Sequence, residues 1–298
     1  MFSTWEKGQV AETARLVGQD DNIRDINPAG SAAPAAAPDP ELSVVVPVHN
    51  EAGNIASLVG EIADALEGVA TFEIVYVDDG SSDTTLEALT TARQRAPMLR
   101  VLRHARSMGQ STALRTGVLA ARGHWIATLD GDGQNDPADI PALLARAREL
   151  ARQRGDNAVL IAGWRSRRRD GWYTRWQSKL ANGVRARLLR DGTPDTGCGL
   201  KVYARDLFIA LPYFDHMHRF MPALVKRTGG EVHSLPVNHR PRTRGRSHYG
   251  LFNRLWAGIV DTAGVMWLAR RARRPDTLEL GIEAPSASPA RPAARAKT

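Results

Sequence analysis

Between residues 42 and 162 the apolar positions alternate between two rhythms. Leu42-Ser-Val-Val-Val-Pro-Val48 is a β-branched run of strand length, and Ile55, Leu58, Val59, Ile62 and Leu66 then recur at intervals of three and four, which predicts one buried face of a helix. The same pair of patterns repeats along the chain. Phe72–Val77 reads as a strand, followed by a helix through Leu86 and Leu89; Leu99–Leu102 reads as the next strand, followed by a helix over 110–121. His124–Leu129 is a fourth strand, and the helix after it starts near Pro137, a favourable first-turn residue, and carries Ile140, Leu143, Leu144, Ala147 and Leu150. Val159–Ala162 completes the series. Strands alternating with helices at this spacing predict an α/β fold, a mostly parallel sheet flanked by helices, with ligands bound beyond the carboxyl ends of the strands.

Composition changes abruptly at both ends. Residues 28–40, PAGSAAPAAAPDP, contain nothing large enough to pack and read as a flexible linker; residues 1–40 are expected to be a disordered extension and 275–298 a disordered tail. Residues 41–250 are expected to form a single domain. The start of the chain mixes acids and bases without an apolar run, so it is not a secretory signal, and no uncharged stretch reaches the ~18 to 20 residues that cross a bilayer. Cys198 is the single cysteine, which excludes an internal disulfide framework and suits a reducing compartment.

Three of the strands run into acidic loops: Pro47-Val-His-Asn-Glu51, Asp78-Asp-Gly-Ser-Ser-Asp83 and Asp130-Gly-Asp-Gly-Gln134. Asp, Asn, Gly and Ser make turns anywhere, which accounts for any one such loop; three on one sheet edge need a further reason. Asp130 and Asp132 flank a glycine directly after an apolar strand, and carboxylates crowded in this way repel unless a cation joins them. Mg2+ or Mn2+, completed by diphosphate oxygens, suits such a pair. No Gly-x-Gly-x-x-Gly follows the first strand and no Gly-x-x-x-x-Gly-Lys-Ser/Thr occurs, so a nucleotide would have to be held in another way.

Five segments in order, VVVPVHNE, VDDGSSDTT, LDGDGQ, GWRS and RTRGRSHYG, resemble family-2 glycosyltransferases of the GT-A fold, and most of all their polyprenyl-phosphate branch, the dolichol-phosphate mannosyl- or glucosyltransferase-like enzymes. The resemblance implies a nucleotide sugar held by Pro47, His49, Glu51, Asp78 and Asp79, with Asp79 reaching the base. It implies metal and sugar diphosphate at Asp130 and Asp132, with Gln134 beside them, and an arginine near the diphosphate at Arg165. Arg242 matches a further basic contact, and His248 stands where relatives often carry lysine. Arg175, Arg219 and Arg244 join them as candidates for an acceptor phosphate.

The net charge of +8 is unevenly placed. Residues 163–190 hold nine basic side chains against Asp170, and residues 240–274 hold nine against Asp261, so each stretch sums to +8 and the rest of the chain to −8. An acceptor phosphate at a membrane surface accounts for that distribution; solvated basic faces are the alternative. From Leu251 to Trp267 the apolar residues, Ile259, Val260, Ala263 and Met266 among them, make a helical stripe, which predicts an amphipathic helix over 251–274 that either packs on the domain or lies in a membrane interface.

The expected activity is inverting transfer from a GDP- or UDP-sugar to a polyprenyl phosphate, by a peripheral enzyme on the cytoplasmic membrane face. Two rivals stand beside it. A saccharide or lipid hydroxyl acceptor would need a base such as Asp195, and a nucleic-acid binder would use the basic patches but leaves the three acidic loops unexplained. Trp164, Trp172 and Trp176 are candidates for a sugar or prenyl floor. His216 and His218, two apart, have the wrong spacing for a metal pair on one helical face.

Overall fold

The computed structural model describes residues 24–25, 38–165, 189, 191–241 and 251–273, with 24–25 and 251–257 described by backbone only. Its strands are β1 (Arg24–Asp25), β2 (Leu42–Val48), β3 (Phe72–Asp78), β4 (Leu99–Arg103), β5 (Trp125–Thr128), β6 (Val159–Arg165), β7 (Lys201–Ala204) and β8 (Glu231–Val237). Its helices are α1 (Ile55–Leu66), α2 (Thr85–Arg95), α3 (Gln110–Ala120), α4 (Ile140–Arg154), α5 (Arg205–Ile209), α6 (Met221–Arg227) and α7 (Leu251–Arg270).

The strands form one sheet in the order β1-β4-β3-β2-β5-β7-β6-β8. β2 pairs in parallel with β3 and β5, β3 with β4, and β6 with β8, whereas β7 runs antiparallel to both β5 and β6. Consequently β2 to β6 and β8 all point one way and deliver their carboxyl ends to one edge. Every residue of β2 is buried, as a central strand covered on both faces requires. Val44 and Val46 point into a core with Ile55, Ile62, Leu89 and Leu143 from α1, α2 and α4. Val45, one pleat away, points into the opposite core with Ala113, Val118, Phe208 and Leu224 from α3, α5 and α6.

β8, α5 and α6 lie beyond the series read up to Ala162, and two further features depart from that reading. The strand at 159–165 is not a neighbour of β5, because the four-residue β7 inserts between them, Thr128 facing Lys201 and Leu160 facing Tyr203. So short a run carries too little periodicity to register as a strand. Within the extension expected to lack structure, Arg24 and Asp25 pair with Arg103 and Leu102 at the sheet edge.

Helix α7 meets the domain through one side. Val265 is buried in the second core, Arg227 Nε donates to the Leu268 carbonyl at 3.0 Å, and Asp261 meets His216 Nδ1 at 3.1 Å. Ile259, Val260 and Trp267, all in the expected stripe, are 53%, 52% and 59% exposed. Of the two alternatives for the stripe, core packing does not apply to these three residues.

Candidate active site

The loops after β2 and β3 are built by hydrogen bonds to each other. Asn50, at φ +57°, accepts from the Ser82 amide at 2.9 Å through its side-chain oxygen, and its own amide donates to Ser81 Oγ at 3.0 Å. Asparagine tolerates this left-handed backbone better than most residues. His49 is exposed and donates from Nδ1 to the Asp79 carbonyl at 2.8 Å. Glu51 accepts from Asn54 at 2.7 Å, Pro47 is buried, and Asp78 accepts from the Ser81 amide at 2.9 Å while Arg103 lies 3.3 Å from its other oxygen.

Asp79 organises a third segment. Its Oδ1 accepts from His104 Nδ1 at 2.7 Å and the Met108 amide at 2.8 Å; its Oδ2 accepts from Ser107 Oγ and the Gly109 amide, each at 2.8 Å. These donors outweigh burial and hold the carboxyl down at about 2. The resemblance assigns Asp79 to the base, but here both its oxygens face the 104–109 turn.

Beyond β5 the balance reverses. Burial and the neighbouring Asp132 push the Asp130 carboxyl above the usual range, against the pull of Lys201, Arg165 and Gln110. Gln110, at the start of α3, donates to Asp130 Oδ1 at 2.8 Å; the Asp130 amide donates to Asn135 Oδ1 at 3.1 Å; and Asp132 accepts from the Gln134 amide at 3.1 Å. Two glycines let the backbone pass close to this loop. A Cβ on Gly199 would stand 2.3 Å from Asp130 Oδ2, and one on Gly131 would stand 2.3 Å from Val48.

Hard carboxylate oxygens that repel each other and are held at fixed positions suit Mg2+ or Mn2+. Among the described residues no group of three or more His, Cys, Asp or Glu could hold a metal ion. Asp130 and Asp132 would therefore share the ion with oxygens from substrate or water.

The opposite wall comes from β6 and the run into β7. Arg165, at the end of β6, donates from Nε to Asp195 Oδ2 at 2.6 Å and from Nη2 to Asp195 Oδ1 at 2.9 Å, a bidentate pair with both partners largely buried. The pair raises the Arg165 pKa despite burial. Thr128 Oγ1 fixes the Gly199 carbonyl at 2.7 Å, and the buried Lys201 ammonium donates to the Cys198 carbonyl. His218 shares a 2.7 Å hydrogen bond with Ser111 of α3, and burial pushes its imidazole well below the ordinary histidine value. Arg219 is exposed beside it. A cavity of about 370 Å3 lies among Gln110, Asp130, Thr196, Lys201, His218 and Arg219.

The fold thus gathers Pro47, His49, Glu51, Asp78, Asp79, Asp130, Asp132, Gln134 and Arg165 at one sheet edge, with Arg219 on the cavity behind Asp130. Arg175, Arg242, Arg244, His248, Trp172 and Trp176 lie outside the described residues. Trp164 is 41% exposed near the end of β6. Sequence reasoning passed over Asn50, Gln110, Asn135, Lys201 and the cavity role of His218. Asn50 carried a faint signal, as a turn residue between two singled-out positions; the others carried none.

The family model for glycosyl transferase family 2 matches residues 43–211. The chain is 37% identical over 253 residues to the dodecaprenyl-phosphate galacturonate synthase of Rhizobium johnstonii, covering 82% of this chain and 73% of that one. It is 35% identical over 213 residues to the undecaprenyl-phosphate 4-deoxy-4-formamido-L-arabinose transferase of Edwardsiella ictaluri, covering 70% of this chain and 63% of that one. Among solved structures it is similar to a mannosyltransferase of Pyrobaculum calidifontis in complex with GDP-Man and Mn2+, with a TM-score of 0.55, 19% identity, and coverage of 90% of this chain and 72% of that one. The glucosyl-3-phosphoglycerate synthase of Mycobacterium tuberculosis, in complex with Mn2+, UDP and glucosyl-3-phosphoglycerate, gives a TM-score of 0.53 at 18% identity, covering 80% and 82%. At such identities these two likenesses concern the fold alone. This is an enzyme family, which decides between the function classes that the charge distribution left open. A family match over more than half the chain, a relative at 37% identity across most of it and the sheet described above together establish that the chain belongs to glycosyl transferase family 2 and has the GT-A fold.

Proposed function

We propose that the protein transfers a sugar from a GDP- or UDP-sugar to a polyprenyl phosphate, with inversion at the anomeric carbon. A phosphate oxygen of the acceptor bonds to C1 as the bond from C1 to the nucleoside diphosphate breaks, and the departing diphosphate keeps the electron pair. The acceptor is already anionic, so no proton has to be removed. The observation that carries this reading is the state of Asp195: the carboxylate that a hydroxyl acceptor would use as a base is buried against Arg165 in a two-point ion pair. The two relatives named above, both polyprenyl-phosphate enzymes, support the same acceptor.

A Mg2+ or Mn2+ ion held by Asp130 and Asp132, with Gln134 adjacent, would supply positive charge to the leaving diphosphate. The chain's own residues do the rest. Gln110 orients Asp130, Arg165 is held in place by Asp195, and the loops bearing His49, Glu51 and Asp78 wall the nucleotide side. No described helix is long and apolar enough to cross a membrane. The outward face of α7, with Ile259, Val260 and Trp267 followed by Arg270, Arg271 and Arg273, suits a helix lying on an anionic bilayer at the cytoplasmic face.

The test is a donor screen: GDP- and UDP-sugars with citronellyl or longer polyprenyl phosphates, following label into the organic phase. Label in a lipid phosphodiester, lost without Mg2+ or Mn2+, is the expected result. Transfer only to hydroxyl acceptors, with Asp195→Asn abolishing it and leaving donor hydrolysis intact, would overturn the reading.

A further inference from the structure

Lys201 is 4% exposed, and its ammonium has a single hydrogen-bond acceptor among the described residues, the Cys198 carbonyl. An ammonium has three donors, and a charge taken out of water is costly unless it is paired. The carboxylates around it are engaged elsewhere, Asp195 with Arg165 and Asp130 Oδ1 with Gln110. Their field still favours the charged form, against burial, which pulls the lysine below its usual range. If Lys201 served packing alone, an apolar side chain would fill the site at lower cost.

The ammonium lies instead on the wall of the cavity behind Asp130, whose volume of about 370 Å3 far exceeds the ~30 Å3 a water molecule takes up. The nucleotide-side loops lie beyond β2 and β3, whereas the cavity's other wall, at His218 and Arg219, follows His216, which is bonded to α7 through Asp261. Arg219 is exposed and Lys201 is 4% exposed, so a ligand entering this cavity from solvent meets Arg219 before Lys201.

We propose that this cavity is the phosphate subsite for the acceptor, with Lys201 as its floor and Arg219 at its mouth. The proposal rests on the polyprenyl-phosphate reading and adds a binding residue to it. Two cations offset the Asp130 and Asp132 carboxylates, so the pocket accepts a phosphate dianion once those carboxylates are neutralised. His218, held neutral, adds no repulsion.

The test is calorimetric binding of citronellyl phosphate to the full-length protein, in EDTA and again in Mg2+, with UDP and free galacturonate as parallel probes. Lys201→Met is expected to weaken citronellyl phosphate by about tenfold or more, as loss of a charge-assisted hydrogen bond does, with UDP affinity unchanged and Lys201→Arg close to wild type. Arg219→Gln, on an exposed side chain, is expected to weaken the same probe and serves as the test if Lys201→Met does not fold. Unchanged citronellyl phosphate affinity in the folded Lys201 variant, or in Arg219→Gln where that variant stands in, overturns the subsite. Loss of UDP binding in the folded Lys201 variant moves the residue to the donor diphosphate, and selective loss of galacturonate moves it to a sugar carboxylate; both overturn the proposal. Wild-type protein that binds no citronellyl phosphate overturns the polyprenyl-phosphate reading itself, a different failure from wild-type binding that Lys201 does not affect.

Discussion

Asp79 and Asp130 occupy corresponding places, each just past the carboxyl end of a strand that flanks β2 in parallel, yet they are driven in opposite directions. Four donors from residues 104–109 hold Asp79 down at about 2, whereas Asp130, with Asp132 beside it, is pushed up. A carboxylate saturated by its own chain is a structural device, since its charge is already used. One that is destabilised by its surroundings has something to gain from a cation, and that is where chemistry is expected. The acidic loops that look alike in sequence therefore differ in structure: one is saturated by donors of its own chain, and the other keeps its carboxylate against burial and a like charge.

The most severe test of this contrast is Asp130→Asn or Asp132→Asn, each expected to lower transfer by about a hundredfold or more, as removal of one preorganised electrostatic contact does. Wild-type thermal stability should rise with Mn2+, and that rise should vanish in both variants, as melting curves with and without the ion would show. Full activity with retained metal dependence would remove the metal assignment. Next in size, Asp195→Ala leaves a buried guanidinium without its partner and is expected to cost about 3 kcal/mol of folding stability in urea titrations.

Asp79→Asn should cost about 2 kcal/mol, because a buried, ionised acceptor of four hydrogen bonds is replaced by a neutral amide that cannot accept at both positions. Because the folded pKa lies below the unfolded one, that contribution is present above pH ~4 and is lost as pH falls toward 2, so the variant's acid unfolding should show a shallower pH dependence across that window. Gly199→Ala should reduce transfer by about tenfold with a smaller loss of stability, since its methyl displaces the Asp130 carboxylate. The smallest effect is expected at Trp267→Ser, which should reduce flotation with anionic vesicles several-fold while leaving UDP binding and melting unchanged, because the side chain is 59% exposed.

Much of the fold was legible because its signals are local. The runs at 42–48 and 72–77 and the stripe Ile55-Leu58-Val59-Ile62-Leu66 announce themselves through spacing alone, and the strand ends followed from them. β7 was not legible. At four residues it is recognised only through the partners that clamp it, β5 and β6. Missing it also hid Lys201, which enters the site because β7 runs against its neighbours and so begins at the carboxyl edge.

The order of strands and helices from residue 42 to 162 and the position of Asp130 and Asp132 beyond a strand were determined by the sequence itself, since each depends on residues within one or two turns of one another, and the concentration of basic residues late in the chain is read directly from it. Tertiary structure decided which charges are spent and which remain available: that Arg165 and Asp195 hold each other, that Asp79 serves the 104–109 turn, that Gln110 reaches Asp130 and that α7 turns Ile259, Val260 and Trp267 outward. Those outcomes depend on burial and on partners many residues apart, and the energy of a charge is set by what surrounds it in space.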